Sequence, residues 1–241
     1  MSDAGPAVVR NQVDAIDWPK VTMTLDDVGV ASLGPVLDGD ACDELIALYD
    51  NRDRFRSTVD MASHRFGRGQ YRYFSRPLPT VVRNLRTAFW PHLLPVAREW
   101  ADRRGQAASW PDTLDEWLDQ CHAAGQSRPT PLMLRYGPGD WNALHRDLYG
   151  ELVFPLQVVI GLNDPAADYT GGEFVVVEQR PRAQSRATAT AIQRGHGVVF
   201  TTRDRPIRTQ RGWASAPMRH SLSVVRSGRR HALGLIFHDA Q

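Results

Sequence analysis

His145, Asp147 and His220 offer two imidazoles and one carboxylate, a donor set that can occupy one face of a metal ion and leave the other positions open. His145 and Asp147 stand at i and i+2, so on a strand their side chains point to the same face. Composition alone supplies nearly one such pair by chance. The surroundings therefore decide. His220 heads an apolar stretch downstream, and Arg230 follows ten residues later. Two histidines and a carboxylate form the facial triad that suits non-haem Fe(II) and oxygen chemistry. If Ser227-Gly228 turns a hairpin that sets Val224 opposite Arg230, His220 and Arg230 share an inner face about 13 Å apart. Their side chains then leave a gap of roughly 5–6 Å. That gap fits 2-oxoglutarate, chelating the metal at its keto-acid end and pairing with arginine at the other. Tyr136, on the preceding strand, is placed to add its hydroxyl to the same carboxylate.

The elements that must position these groups change in character along the chain. Residues 1–28 show no clear periodicity and read as an N-terminal arm. A single domain is expected over 29–241, helical over about 38–125 and a β-helix core over about 130–240. Asp40 opens one helical pattern. A second runs from Val81 to Arg104, where Pro91 and Pro95 should kink or divide it. A third runs from Asp112 to Ala124, with Leu114, Trp117, Leu118 and Cys121 on one face and Gly125 as its stop. Beyond it come short apolar runs bounded by turn residues: 132–136, 152–162, 173–178, 197–201, 220–225 and 230–237. The expected fold is α+β, mainly β: a double-stranded β-helix, or jelly roll, with N-terminal flanking helices.

The string from Arg135 to Asp147 resembles the Tyr-Gly…His-x-Asp segment of prolyl-hydroxylase-like Fe(II)/2-oxoglutarate dioxygenases. Thr170-Gly171-Gly172-Glu173-Phe174 is similar to that superfamily's Gly-Gly-Glu segment, and His220 through Arg230 to its His…Gly-x-Arg ending. More closely, the C-terminal part resembles a bacterial nucleic-acid oxygenase family predicted to oxidise modified bases. That likeness rests on Cys121-His122-Ala123-Ala124-Gly125-Gln126, Asp147-Leu148-Tyr149-Gly150-Glu151, Gln179-Arg180-Pro181-Arg182 and Ile236-Phe237-His238-Asp239. Phe66 to Tyr71 extends it upstream. The resemblance implies iron on His145, Asp147 and His220, 2-oxoglutarate on Arg230, and O₂ as co-substrate. Arg194-Gly195-His196 departs from the usual Arg-Gly-Asp, and His196 is not assigned to the metal. His231 and His238 read as residues outside the ligand set.

Charge bears on the substrate. The net charge is +2, yet residues 1–50 hold ten acids against Arg10 and Lys20, while residues 180–211 hold eight arginines against Asp204. The cationic stretch is either a phosphate-binding surface or a sheet rim balanced by the acidic N-terminus. Between His64 and Arg76, arginines alternate with aromatics, and Arg68, Tyr71, Arg72 and Tyr73 are the candidate substrate contacts. A hairpin with aromatics inward and solvated arginines is the alternative. Cys42 and Cys121 lack metal or redox spacing and read as buried thiols. No apolar run approaches the ~20 residues of a membrane helix, so a cytoplasmic protein with no membrane partner is expected.

The expected function is hydroxylation of a substrate C–H bond, with oxidative demethylation of modified nucleic-acid bases as one form. A prolyl, protein side-chain or small-molecule hydroxylase is an alternative. So is a non-catalytic jelly-roll module binding nucleic acid or another anionic partner.

Overall fold

The computed structural model describes residues 5–147, 150–180 and 183–241. Leu148, Tyr149, Pro181 and Arg182, parts of two strings quoted above, lie outside them. A seven-stranded antiparallel sheet has the order β1 (Val30–Pro35), β11 (His196–Thr201), β7 (Leu156–Gly161), β15 (Arg230–Ile236), β5 (Leu132–Tyr136), β4 (Gln70–Phe74) and β2 (Phe55–Asp60). Facing it is a second sheet of β10 (Arg186–Thr190), β9 (Phe174–Glu178), β13 (Gly212–Leu222), β6 (Trp141–His145) and β3 (Gly67–Arg68), with β12 (Asp204–Thr209) paired to β13. A short pair, β8 (Tyr169–Gly171) and β14 (Val225–Gly228), stands apart. The helices are α1 (Pro6–Asp14), α2 (Trp18–Val28), α3 (Gly39–Leu48), α4 (Thr80–Arg103) and α5 (Leu114–Ala123). This is the expected mainly β jelly roll with flanking helices.

Alternation along each strand of the large sheet divides the core in two. On β7, Leu156, Val158 and Ile160 join the cluster that includes helix residues Leu85, Phe89, Leu93 and Trp117. Val159 turns instead to a cluster with Phe174, Val176 and Met218 of the facing sheet. On β15, Leu233 and Leu235 face the helices, so Arg230 and Ala232 face the space between the sheets. One strand therefore anchors the fold and lines the cavity.

The structure corrects five expectations. Residues 1–28 include α1 and α2 rather than an arm. Val9, Val13, Val21 and Leu25 are buried in the helix-side core, as two stripes of one i,i+4 pair each. Stripes that short give little periodic signal, but the Asp17 cap accepting from Lys20 N at 3.1 Å, with Pro19 in the first turn, is a legible helix start. The helical stretch 38–125 also contains β2, β3 and β4.

Pro91 and Pro95 do not divide α4, which runs unbroken for 24 residues. Both prolines are exposed, so the carbonyls they orphan can turn to water, while Trp90, Leu93, Leu94 and Ala97 hold the opposite face in the core. Finally, His220 and Arg230 do not share a hairpin. β14 breaks away after Leu222 to pair with β8, so His220 lies in one sheet and Arg230 in the other. The cap of α3 is Asp38, two residues before the expected helix start at Asp40.

Candidate metal centre and anion pocket

β13 pairs with β6 so that His220 is directly opposite His145. The two imidazole centroids are 4.2 Å apart. Asp147 follows the end of β6 and reaches both rings: Oδ1 is 3.6 Å from His145 Nε2 and Oδ2 is 3.2 Å from His220 Nε2. One ligand atom from each residue lies within 4.8 Å of the others. The His145 Nδ1 is 2.7 Å from the Ala143 carbonyl, so that nitrogen is the natural N–H donor and Nε2 keeps its lone pair for a metal. Burial, with His220 alongside, lowers the His145 pKa and favours the neutral ring that a ligand must be. Burial alone would raise the Asp147 carboxyl, but His220, His145 and Gln157 outweigh it and hold the group ionised well below the usual carboxylate range. A dianionic or neutral assembly would not meet these terms. Two neutral nitrogens and one anion do, for a divalent transition metal.

The triad opens into a cavity of about 380 Å³ between the sheets, walled by residues that include Leu134, Val159, Phe174, Phe200 and Ala232. Arg230 and Tyr136 line the same cavity, each 2% exposed and paired across β15 and β5. The Arg230 guanidinium carbon is 5.9 Å from the Tyr136 ring centre and 5.9 Å from that of Tyr169. Its Nε is buried without a partner, and among the described residues no carboxylate lies within 4.0 Å of the guanidinium. An unpaired buried cation is costly unless an anion joins it. Burial raises the Tyr136 phenol further above neutrality, so it stays a protonated hydroxyl; Asn142 Nδ2 lies 3.5 Å from it.

Two glycines make room for this pair, a signal that motif reading passed over. A Cβ on Gly69 would meet Tyr136 Cδ1 at 2.7 Å, and one on Gly172 would meet Arg230 Cδ at 3.1 Å. Both have positive φ, 124° and 63°, where an L side chain is strained in any case. Gly172 belongs to the Gly-Gly-Glu segment, which thus serves the anion end of the cavity.

The candidate substrate contacts separate. Tyr71 and Tyr73 line the cavity, and Arg68 sits on β3 with its side chain exposed. Arg72 is a correction. Alternation on β4 sends it to the helix side, where it is 5% exposed, donates to the Tyr49 carbonyl at 2.5 Å and lies 4.4 Å over the Tyr49 ring. It contacts no substrate from there. Much of the cationic stretch is held in ion pairs, though three of its arginines share one carboxylate. Arg180, Arg186 and Arg205 converge on Glu178, and Arg194 reaches Asp43 at 2.7 Å. His231 and His238 are buried outside the ligand cluster, the first beside Asn163 at 3.0 Å and the second accepting from Phe154 N at 3.2 Å. His196 begins β11 opposite Pro35, outside the ligand cluster. Cys42 and Cys121 are buried free thiols, and burial pushes the Cys42 thiol up to about 11. Among the described residues, no helix is long and apolar enough to cross a membrane.

Comparison with known proteins agrees with this geometry. Residues 69–240 match a family described as an oxygenase catalysing oxidative methylation of damaged DNA. An uncharacterised protein of Mycobacterium tuberculosis is 66% identical over 167 residues, covering 69% of this chain and 72% of its own. Among solved structures, a Pseudomonas putida prolyl-4-hydroxylase aligns over 93% of this chain and 99% of its own at TM-score 0.56 and 15% identity. A prolyl hydroxylase from Trichoplax adhaerens aligns over 95% and 90% at TM-score 0.54 and 13% identity. At such identities the likeness is one of fold.

Proposed function

The chain belongs to the oxygenase family described for damaged DNA, and from that premise we propose that it is an Fe(II)- and 2-oxoglutarate-dependent dioxygenase acting on a modified nucleic-acid base. The observation that carries the cofactor reading is Arg230, a buried guanidinium without a carboxylate partner among the described residues, in the same cavity as the three candidate metal ligands. His145 and His220 would hold iron through Nε2 and Asp147 through its carboxylate. Arg230 would take the distal carboxylate of 2-oxoglutarate in a charge-assisted pair, with the Tyr136 hydroxyl donating to the same group.

The bound metal supplies the oxidation: 2-oxoglutarate loses CO₂ to become succinate, and of the two atoms of O₂ one enters succinate and the other enters a substrate C–H bond as hydroxyl. The remaining work belongs to the chain. Ala143 fixes the His145 tautomer through its carbonyl. Phe200, 4.8 Å from the His220 ring, and Phe174, at 6.0 Å, cover the imidazole from water and hold its plane. Tyr71, Tyr73 and Leu132 continue the apolar wall and limit what can approach the metal face. At an N-methyl group, hydroxylation gives a hydroxymethyl adduct that releases formaldehyde, so the balanced reaction removes the methyl group.

The test is direct. Aerobic protein with Fe(II) and 2-oxoglutarate should form succinate, and anaerobic mixing should give a weak visible charge-transfer band. Methylated single-stranded oligonucleotide should stimulate succinate formation and release formaldehyde. A folded wild-type protein silent in both the band and the succinate assays would defeat the dioxygenase reading; turnover that no methylated oligonucleotide stimulates would defeat the base substrate.

A further inference from the structure

Phe66 and Leu144 both line the cavity and remain 48% and 47% exposed, so they mark its mouth. Trp141, 39% exposed, lies outside the cavity lining on the same strand as Leu144, opposite Arg68: β3 pairs with β6 so that Gly67 faces Asn142 and Arg68 faces Trp141. Ala143 N donates to the Phe66 carbonyl at 2.8 Å, tying the two segments rigidly. The Phe66 ring is stacked on His64 at 5.4 Å and 20°. Arg65 holds a left-handed conformation, φ 61°, rare for a residue with a side chain, and it too lines the cavity. That conformation closes the turn of Ala62–His64 as its C-cap, with Arg65 N donating to the Ala62 carbonyl at 3.3 Å and Phe66 N to the Met61 carbonyl at 3.0 Å, and so fixes where Phe66 leaves the turn.

Charge narrows the occupant. Among the described residues no carboxylate lies within 4.0 Å of the guanidinium of Arg65 or Arg68. The nearby Asp60 and Asp140 are committed to backbone N–H groups, of Ala62 at 3.0 Å and Gly137 at 2.8 Å. The rim is therefore aromatic and cationic. An acidic or apolar peptide would use only half of it. A polyanion with planar, stackable units uses both: its bases stack on Phe66 and Trp141 while its phosphates meet Arg65 and Arg68. The metal ligands lie behind this rim, so a base that reaches them must leave any helical stack.

Resting on the proposed base-oxidising function, we infer that the Phe66–Trp141 rim is a docking platform for single-stranded nucleic acid, with the target base threaded past Leu144 towards the triad. This replaces Arg72 with Arg65 and relocates the aromatic contacts from Tyr71 and Tyr73, which lie inside the cavity, to Phe66 and Trp141.

Fluorescence anisotropy with a labelled, unmodified 20-mer, as a single strand and as the duplex of the same sequence, tests it. The full chain with Fe(II) should bind the single strand at least about tenfold tighter than the duplex. Phe66→Ala with Trp141→Ala should weaken single-strand binding by about tenfold or more, while Phe66→Tyr with Trp141→Phe should restore it. Arg65→Ala should reduce the slope of log affinity against log salt by about 1. Equal affinity for strand and duplex, or an unchanged affinity in the folded double-alanine variant, overturns the platform. So does a protein that converts 2-oxoglutarate to succinate but binds no oligonucleotide at low salt. One that binds the strand through this rim but forms no succinate keeps the platform and removes the dioxygenase reading.

Discussion

Glu178 and Arg230 are equally buried, each 2% exposed, on facing sheets of the same fold, and they are opposite in how their charge is met. Glu178 receives Arg186 at 2.7 Å, Arg205 at 3.0 Å and also Arg180. Arg205 and Arg186 go on to the Asp26 and Asp27 carbonyls at 2.6 and 2.9 Å, joining α2 to the small sheet. Burial would raise the Glu178 carboxyl, but the three arginines bring it down to about 2. The Glu178 carboxylate is thus met entirely within the chain. Arg230 has aromatic neighbours and a cavity in place of a carboxylate. Saturation marks a structural ion cluster, and an unmatched buried charge marks a place where a ligand completes the fold's electrostatics.

Removing a metal ligand should give the largest effect. Asp147→Ala should abolish succinate formation, a loss of at least about 1,000-fold, together with the anaerobic visible band; retention of either would detach the triad from the chemistry. Next, Arg230→Met should raise the KM for 2-oxoglutarate about 100-fold, as expected for truncating one partner of a buried charge pair. Because no internal partner is orphaned, its melting temperature without ligand should hold or rise. Glu178→Gln reverses that pattern, since it strands the buried Arg205 guanidinium while Arg180 and Arg186 turn to solvent: a loss of roughly 3 kcal/mol in denaturant unfolding is expected, with the KM for 2-oxoglutarate little changed in the folded fraction. If both variants lose stability equally, the contrast between the two sites fails.

Arg72→Ala should cost about 2 kcal/mol of stability through its buried contacts with Tyr49 and leave the salt slope of oligonucleotide binding unaltered. The smallest effect concerns pH. Burial lowers His231 and His238 to about 4, so their neutral forms belong to the folded state. The unfolded chain binds more protons between the ordinary histidine value and about 4, so stability present above pH ~6.5 is lost as pH falls through that window. Glu178, depressed to about 2, extends the loss from the ordinary carboxylate range towards that value. His231→Asn should flatten the melting temperature between pH 7 and 5 by a few degrees; an unchanged profile would show that His231 does not carry it.

Much of the fold was legible because its signals are local. The apolar runs at 132–136 and 230–237 became β5 and β15 within a residue, and α5 formed within its expected span from a Thr113/Glu116 capping box. The errors arose where tertiary packing overrules local preference. A continuous apolar face carries α4 through two prolines, and the short apolar pairs Val9/Val13 and Val21/Leu25 become helices by packing on α4 and β1 respectively.

The amino-acid order alone determined the chemical inventory: His145, Asp147, His220, Arg230 and Tyr136, and the strand periodicity that gives each a face. A one-dimensional pattern fixes which side of a strand a side chain takes, because that depends only on the pleat. It does not fix which strands become neighbours, which depends on burying the most apolar surface over the whole chain. Sheet pairing therefore decided that His220 and Arg230 line one cavity from separate sheets, that Arg72 turns to the helices while Tyr71 and Tyr73 enter the cavity, and that Phe66 and Leu144 stand exposed at its mouth.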